Sequence, residues 1–406
     1  IYNAIAALER VRVAELEARK GKAGAQETES DKKFAEALEL YAQLYPNDPS
    51  LPELFFRQGR LYYEYAVYDP AVKIWGALLE RFPRSQFAQP AGELILDSFN
   101  KSKNYENIET WARRLKRAPA FQAEAEQKKL DTLIVQSVFK QGEARMDAKD
   151  PAGAAKAYLR AAKEFPRDTR AAQACVNAEL AAQKAGDRAT LVEAARLVTG
   201  KDYRDHTEAP QGAWIAGSTL QSMGLFAESA EFQEAIAQLS DKEHPNFVKF
   251  EHAKDAAFNA VVLRTTVGDH DRAIANGNRF LALYGSSPEA DEVTFYMGRA
   301  HEGAGRNAQA IEVYRRFTLR AKNLDHKAQA YVQLALLQIK AGDGRGADES
   351  LKAAVAMGKR KRDLGPDGRY ASARARYMEG ERVLARFDEI QIAGDVKQLS
   401  QRLKQK

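Results

Sequence analysis

Hydrophobic and small residues recur at helical spacing along almost the whole chain, and the segment 51–83 shows this pattern most completely. Two apolar helix faces follow one another there: Phe55, Gly59 and Tyr62 on the first, then Ala71, Trp75 and Leu78 on the second. Gly59 and Ala71 are small, and we expect them where two antiparallel helices cross, since a larger side chain would hold the backbones apart. Pro83 closes the second helix. The pattern predicts a helix pair that must stack on neighbours to bury its apolar face.

The same two-helix pattern returns along the chain at uneven intervals. Six residues each lie 83 positions after a counterpart in the segment 51–83, and they are Val138, Gly142, Ala154, Tyr158, Ala161 and Pro166. The small positions of the predicted second helices fall at 71, 108, 154, 189, 229, 273, 310 and 347. The steps between them vary, so we predict an array of roughly eight to ten helix pairs that is not uniform.

Breaks in this pattern divide the chain into five segments. Residues 1–30 form an N-terminal helix and loop, consistent with the remainder of an upstream repeat, and residues 31–198 form the N-terminal half of the array. The segment 199–212 is rich in charges and turn formers, and it is either a hinge or a long turn, with the turn favoured. Residues 213–393 form the C-terminal half with a capping helix, and residues 394–406 form a polar tail.

Composition places the chain among globular proteins. Of its 406 residues, 45% are hydrophobic and 29% are charged, and no apolar run approaches the roughly 18 residues that a membrane-spanning helix needs. The net charge is +6, with 62 basic and 56 acidic residues interleaved. We therefore expect no nucleic acid partner and no transmembrane segment. The chain begins at Ile1 without a methionine, which indicates a processed or shortened product.

No residue pattern indicates catalysis, a metal site or a cofactor. Cys175 is the one cysteine and lies in an apolar run, which favours a buried thiol over a reactive one. The six histidines are scattered without the spacing of zinc ligands. The glycines at 342–346 lack the strand and the Lys-Ser/Thr of a phosphate-binding loop, so an interhelix turn is favoured. We predict a protein that is not an enzyme.

Segment 51–83 resembles a tetratricopeptide repeat, because its Phe, Gly, Tyr, Ala, Trp, Leu and Pro residues have that family's spacing. The resemblance implies an all-α, right-handed α-solenoid of tetratricopeptide-like helix pairs that acts as a scaffold for protein partners. The helix exits LYPNDP, RFPRSQFA, EFPRDTRA and LYGSSPEA are similar to those of periplasmic members from Gram-negative bacteria, such as the outer-membrane-assembly lipoprotein and the Tol–Pal coordinator. This implies a periplasmic or envelope-associated role in outer-membrane assembly, cell-wall coordination or a motility machine.

Two other assignments stay open. The chain is compatible with the helical part of a larger cell-wall hydrolase, whose catalytic domain would lie outside this sequence, and with a cytoplasmic tetratricopeptide regulator. A cochaperone role is disfavoured, because Arg57 and Arg60 do not reproduce the Lys/Asn clamp with which members of that branch bind a terminal carboxylate.

The first helices line the concave side in this family, so the resemblance indicates which residues would face a partner segment. Aromatic and charged residues recur together there, a combination suited to peptide binding. Packing of the phenylalanines against the adjacent helix is an equal alternative. The predicted groove residues are Phe56, Arg57, Arg60, Tyr63, Phe139, Glu143, Phe258, Phe295, Tyr296, Arg299 and Glu302.

A basic cluster near the C-terminus is a second candidate surface. Such a cluster suits an acidic protein, phospholipid headgroups or an anionic cell-wall polymer, although a solvated loop beside a capping helix is favoured. The residues of the cluster are Lys359, Arg360, Lys361, Arg362, Arg369, Arg374 and Arg376.

Overall fold

The regular structure of the chain is helical. The computed structural model describes residues 2–18, 28–359, 363–389 and 396–405. Within these ranges it contains α-helices and a short 3₁₀-helix at Pro119–Phe121, and no strand. The prediction of an all-α fold is confirmed. The chain divides into two compact units, unit 1 (Ile1–Thr190) and unit 2 (Leu191–Lys406).

The helices follow one another with short connections. Those of unit 1 are α1 (Tyr2–Ala18), α2 (Glu29–Leu44), α3 (Leu51–Glu64), α4 (Tyr68–Arg81), α5 (Ala88–Lys101), α6 (Tyr105–Leu115), α7 (Glu124–Asp147), α8 (Pro151–Glu164) and α9 (Ala171–Ala185). The division between the units falls within α10 (Arg188–Val198). Those of unit 2 are α11 (Ala209–Ser222), α12 (Phe226–Leu239), α13 (Pro245–Val248), α14 (Ala253–Thr266), α15 (His270–Tyr284), α16 (Ala290–Gly303), α17 (Asn307–Arg320), α18 (Leu324–Lys340), α19 (Gly344–Met357), α20 (Pro366–Asp388) and α21 (Val396–Gln405).

In the described part of the chain, eight helix pairs are each connected by a turn of the same kind. The pairs are α3–α4, α5–α6, α7–α8, α9–α10, α11–α12, α14–α15, α16–α17 and α18–α19. Each turn contains one residue with positive φ, at 66, 103, 149, 186, 224, 268, 305 and 342. Five of these residues are glycine, which adopts this conformation without strain. Gly342 therefore lies in an interhelix turn, as its sequence context predicted.

Within each unit, a helix packs mainly against its immediate neighbours in the sequence, as expected of stacked repeats. The predicted small residues Ala71, Ala154 and Ala310 are buried where first and second helices pack. The prediction for position 189 was wrong, because Ala189 is exposed. The turn at Gly186 sets the register of α10, and Leu191 takes the buried position two residues later.

Where one helix of a pair carries a small residue at the crossing point, the other helix carries a large one. In four repeats a methyl group added at a first-helix glycine would overlap a large side chain sixteen positions later, and these pairs are Gly59–Trp75, Gly142–Tyr158, Gly217–Gln233 and Gly298–Tyr314. The repeats between them invert the sizes, as the buried residues Leu96 with Ala112 and Val261 with Gly277 show. A close-packed interior requires this, because a space left on one helix must be filled from the other.

Candidate functional site

Residues of α5 to α9 line a cavity of about 500 Å³ in unit 1, which we call the groove pocket. Its lining residues are Asn100, Tyr105, Ile108, Leu133, Gln136, Ser137, Phe139, Lys140, Glu143, Tyr158, Arg170, Gln173, Ala174 and Asn177. The apolar residues of the lining are Tyr105, Ile108, Leu133, Phe139, Tyr158 and Ala174, of which Tyr105 and Leu133 are half-buried and the others buried. Gly142 leaves space for the Tyr158 ring between α7 and α8. The pocket thus joins three consecutive repeats.

Four amide side chains are the polar feature of the groove pocket. They are Asn100, Gln136, Gln173 and Asn177. Gln173 Nε2 donates to Asn177 Oδ1 at 3.1 Å, so these two side chains are held along one face of α9. A primary amide offers both donors and an acceptor, which matches the N–H and C=O groups of a peptide bond. The lining is therefore suited to a polypeptide backbone.

The charged groups of the pocket are largely neutralised within it. Lys140 is paired with Glu143, and this hydrogen bond raises the pKa of the Lys140 ammonium group. Arg170 donates to Asp168 through Nε at 2.8 Å and Nη2 at 2.9 Å, which lowers the pKa of Asp168. Burial raises the pKa of Tyr158, so its phenol stays protonated at neutral pH. The pocket consequently presents little net charge to a ligand.

A contact on an aromatic ring recurs where a repeat with a first-helix glycine meets the next repeat. Two of the four contacts are stacked rings, one is a tilted ring pair, and one is a cation–π contact. The aromatic residue three positions before the glycine is covered by a residue at the start of the following first helix. The pairs and their separations are Phe56–Phe87 at 5.5 Å, Phe139–Arg170 at 4.3 Å, Trp214–His252 at 4.4 Å and Phe295–His326 at 4.6 Å. These contacts tie successive repeats together through π-stacking and cation–π attraction.

The stacking decides how much of each predicted groove aromatic a partner could reach. Phe139 is 7% exposed and Phe295 is 2% exposed. At Phe295 the surface offered to a ligand is the His326 ring that covers it. Phe258 and Tyr296 are half-buried on α14 and α16 and meet edge to face at 6.4 Å. Packing between helices thus uses much of these rings.

The other predicted groove residues lie outside the lining of the groove pocket, and only Phe139 and Glu143 belong to it. On α3, Arg57 is paired with Glu9 and Arg60 with Glu64. The Tyr63 hydroxyl donates to Asp97 of α5.

The predicted residues of α16 lie in unit 2. Arg299 is exposed. Glu302 is half-buried and accepts a hydrogen bond from the Tyr314 hydroxyl at 3.2 Å. Burial raises the pKa of the Tyr314 phenol, which therefore stays protonated and able to donate.

The basic cluster is only partly within the described residues, because Arg360, Lys361 and Arg362 lie outside them. Lys359 follows α19, and Arg369, Arg374 and Arg376 are exposed on α20. Arg369 and Arg376 are seven positions apart and share one side of the helix, whereas Arg374 lies on another side.

Sequence reasoning missed the four amides and Arg170. The recurrence of glutamine at one position of successive repeats could have indicated two of them. Gln136, Gln173 and Gln211 each lie six positions before the first-helix residue at 142, 179 and 217, so three successive repeats carry glutamine at one place. Only the structure shows that two of these side chains face one cavity.

A buried carboxyl lies on α9, outside the lining of the groove pocket. Glu179 occupies the place that glycine holds in α3 and α7, is 0% exposed, and has no hydrogen-bond partner for either carboxyl oxygen among the described residues. Burial raises its pKa well above the ordinary value of 4.5. Cys175 lies one turn away and is buried, as predicted, and burial raises the pKa of its thiol to about 12.

We expect the stability of the protein to fall as pH rises above the ordinary glutamate pKa of 4.5, because the folded state holds the Glu179 proton more tightly than the unfolded state. Glu179→Leu should remove this contribution and stabilise the fold by about 1–3 kcal/mol at neutral pH, since a buried polar group without a partner costs that much. Leucine fits this place in α5, where it is Leu96. Urea denaturation at several pH values measures both effects.

Glu179→Gln is the matched control. It should remove the pH dependence but keep most of the cost of a buried polar group. An unchanged pH dependence in both variants would contradict this account of Glu179.

Two segments of the chain, 53–85 and 136–168, match the family model of the tetratricopeptide repeat. The chain contains tetratricopeptide repeats. The two segments contain the pairs Gly59–Trp75 and Gly142–Tyr158, so both matched repeats have a glycine on the first helix that faces a large side chain on the second. Proteins with such repeats bind protein partners, and the second matched segment supplies much of the groove pocket.

No curated protein sequence matches the chain. Two solved structures are similar to it. The first is the APC/C hetero-tetramer Cut9–Hcn1, at 13% identity and a TM-score of 0.30 over 86% of this chain and 59% of that one. The second is the TPR domain of P58(IPK), at 13% identity and a TM-score of 0.27 over 89% of this chain and 98% of that one. The chain thus spans about three-fifths of the first, and TM-scores this low transfer no residue role.

No helix in the described ranges combines the length and the apolar character that crossing a membrane requires. The same residues contain no group of three or more histidine, cysteine, aspartate or glutamate side chains placed to hold a metal ion.

Proposed function

We propose that this protein is a non-catalytic scaffold that binds an extended segment of a partner protein in the groove pocket of unit 1. The amide side chains at one cavity carry the proposal, because amides placed on three consecutive first helices can hydrogen-bond successive peptide groups. The half-buried side chains of Tyr105 and Leu133 supply apolar contact for one side chain of the segment.

The neutralised charges favour a segment without a strong net charge. Lys140 and Arg170 already have carboxylate partners in Glu143 and Asp168. A strongly acidic segment would compete with those carboxylates at short range. Affinity for the proposed segment should therefore depend only weakly on salt.

The pocket can be tested with a photo-crosslinking amino acid at position 100, on its rim, and at position 309, which is exposed on the second helix α17. We expect the probe at position 100 to capture an unstructured segment of a partner, and the synthetic segment to bind the purified protein. Crosslinks from position 309 alone would contradict the proposal.

The variant Gln136→Ala/Gln173→Ala should weaken binding of that segment about tenfold, since each lost hydrogen bond contributes about 0.5–1.5 kcal/mol. Fluorescence anisotropy with the labelled segment measures the change. Gln309→Ala is the matched control and should bind as the unmodified protein does. Equal affinity for all three proteins would show that the segment binds elsewhere.

We further propose, on the helix-exit sequences alone, that the partner belongs to a bacterial cell-envelope complex and that the protein acts in the periplasm. Fractionation of cells that produce the natural protein tests this location. Recovery with periplasmic markers supports it, whereas recovery with cytoplasmic markers favours the cytoplasmic regulator. A catalytic domain in the natural protein would instead favour the helical part of a cell-wall hydrolase.

A further inference from the structure

Helix α20 has two apolar faces, of which one is covered by its own unit. Gly368, Ala371, Ser372 and Ala375 are buried on the inner face, and α20 packs there against α18 and α19. The opposite face carries Tyr370, Tyr377 and Leu384, which are 70%, 67% and 59% exposed. These three residues are seven positions apart, and seven residues make two helical turns, so the side chains form one stripe.

Small residues alternate with the large ones along this stripe. Ala373 and Gly380 each lie three positions after a tyrosine, which completes the two apolar positions of a heptad. A methyl group added at Gly380 would meet no atom within 4 Å, so the space above it is open. We call the stripe of Tyr370, Ala373, Tyr377, Gly380 and Leu384 the outer seam.

The order of large and small side chains in the outer seam distinguishes a parallel from an antiparallel pair of α20 helices. A second copy of α20 in parallel orientation would set Tyr377 against Tyr377 and Gly380 against Gly380, which gives a clash beside a void. An antiparallel copy sets Tyr377 over Gly380 and Leu384 against Ala373, so the large side chains in the middle of the seam meet small ones, and at each end Tyr370 meets Phe387. We infer that two copies of this chain associate through their outer seams, with the two α20 helices antiparallel.

One pair of opposite charges beside the middle of the seam favours this register. The antiparallel arrangement brings Arg374 next to Glu381 of the second copy, and the two-fold symmetry makes the contact twice. The Tyr377 hydroxyl hydrogen-bonds Glu381 within the helix, which raises the pKa of the tyrosine and leaves the second carboxyl oxygen for an arginine. Asp367 and Asp388 approach each other at the ends of the seam, in solvent, which limits the affinity.

The length of the outer seam determines the expected affinity of the dimer. It extends from residue 370 to residue 384, about 22 Å at 1.5 Å per residue. Two helices of this length bury less than the roughly 1,200 Å² of a standard interface. The dimer should therefore form in the micromolar range and dissociate on dilution.

Analytical ultracentrifugation of the full chain over about 1–200 µM tests the inference. We expect a monomer at the lowest concentration and a dimer at the highest. Gly380→Leu should weaken the dimer at least tenfold, because leucine occupies the space that Tyr377 of the second copy requires. The fold should be unchanged, since that space is open within one chain. Tyr377→Ala/Gly380→Leu should restore the dimer by exchanging the large and small positions.

A charge exchange tests the orientation separately. Arg374→Glu should weaken the dimer, and Arg374→Glu/Glu381→Arg should restore it, because only the antiparallel register places these residues side by side. Val396→Glu on α21 is the control and should have no effect. A monomer at all concentrations, a dimer insensitive to Gly380→Leu, failure of both double variants, or loss of the dimer in Val396→Glu would overturn the inference.

Discussion

Glu234→Ala is expected to lower the free energy of unfolding of unit 2 by about 3–5 kcal/mol, because it leaves a buried arginine without its carboxylate. Glu234 on α12 accepts from Arg264 Nε at 2.8 Å and Nη2 at 2.6 Å, and from Asn276 Nδ2 at 2.7 Å. All three residues are buried, and they join α12, α14 and α15. The hydrogen bonds to Glu234 raise the pKa of Arg264. Urea denaturation and hydrogen exchange of these helices measure the loss.

Two controls separate a buried ion pair from a general sensitivity of unit 2. Glu234→Leu/Arg264→Leu should recover part of the stability, since two apolar side chains replace the pair without an unpaired charge, while Asn276 still loses its carboxylate acceptor. Asp271→Ala removes an exposed ion pair with Arg306 and should cost no more than about 1 kcal/mol. A loss below about 1 kcal/mol in Glu234→Ala would show that Asp269, 3.6 Å from Arg264, is a sufficient partner.

Trp75→Ala should destabilise unit 1 by about 3–5 kcal/mol, as truncation of a large core aromatic does. Trp75 is fully buried on α4, where its ring fills the space left by Gly59 and its Nε1 donates to the Phe56 carbonyl at 3.1 Å. Circular dichroism during urea denaturation measures the change without relying on the fluorescence of the lost tryptophan.

The double variant Gly59→Leu/Trp75→Ala should be more stable than Trp75→Ala, because it reproduces the arrangement of Leu96 and Ala112 in the next repeat. Gly59→Leu alone should be destabilising, since the leucine overlaps the indole ring. If the double variant is no more stable than Trp75→Ala, a leucine–alanine pair cannot replace the glycine–tryptophan pair in this repeat.

Much of the fold followed from local pattern. The periodicity of Phe55, Gly59, Ala71 and Trp75 specifies a helix pair, because the spacing of apolar residues determines which face of a helix can be buried. The register error at Ala189 shows the limit of such reasoning, since an alanine-rich stretch offers several equivalent small residues and only the turn at Gly186 selects among them.

The candidate site was predictable only in part. Resemblance placed Phe139 and Glu143 on a first helix, and both line the groove pocket. It could not show that Phe139 is covered by Arg170 or that Phe295 is covered by His326. Those contacts join residues 31 positions apart, and they depend on how each repeat stacks on the next.

The sequence by itself determined that this protein is built of paired helices with a repeating apolar face, because that information is carried by spacing within each segment. Tertiary structure decided which residues remain available to partners. The following repeat covers the aromatic rings of Phe56, Phe139, Trp214 and Phe295. Amide side chains from three helices meet at one cavity, and the outer seam of α20 is left exposed. Availability depends on packing between segments distant in sequence, and spacing within a segment does not encode it.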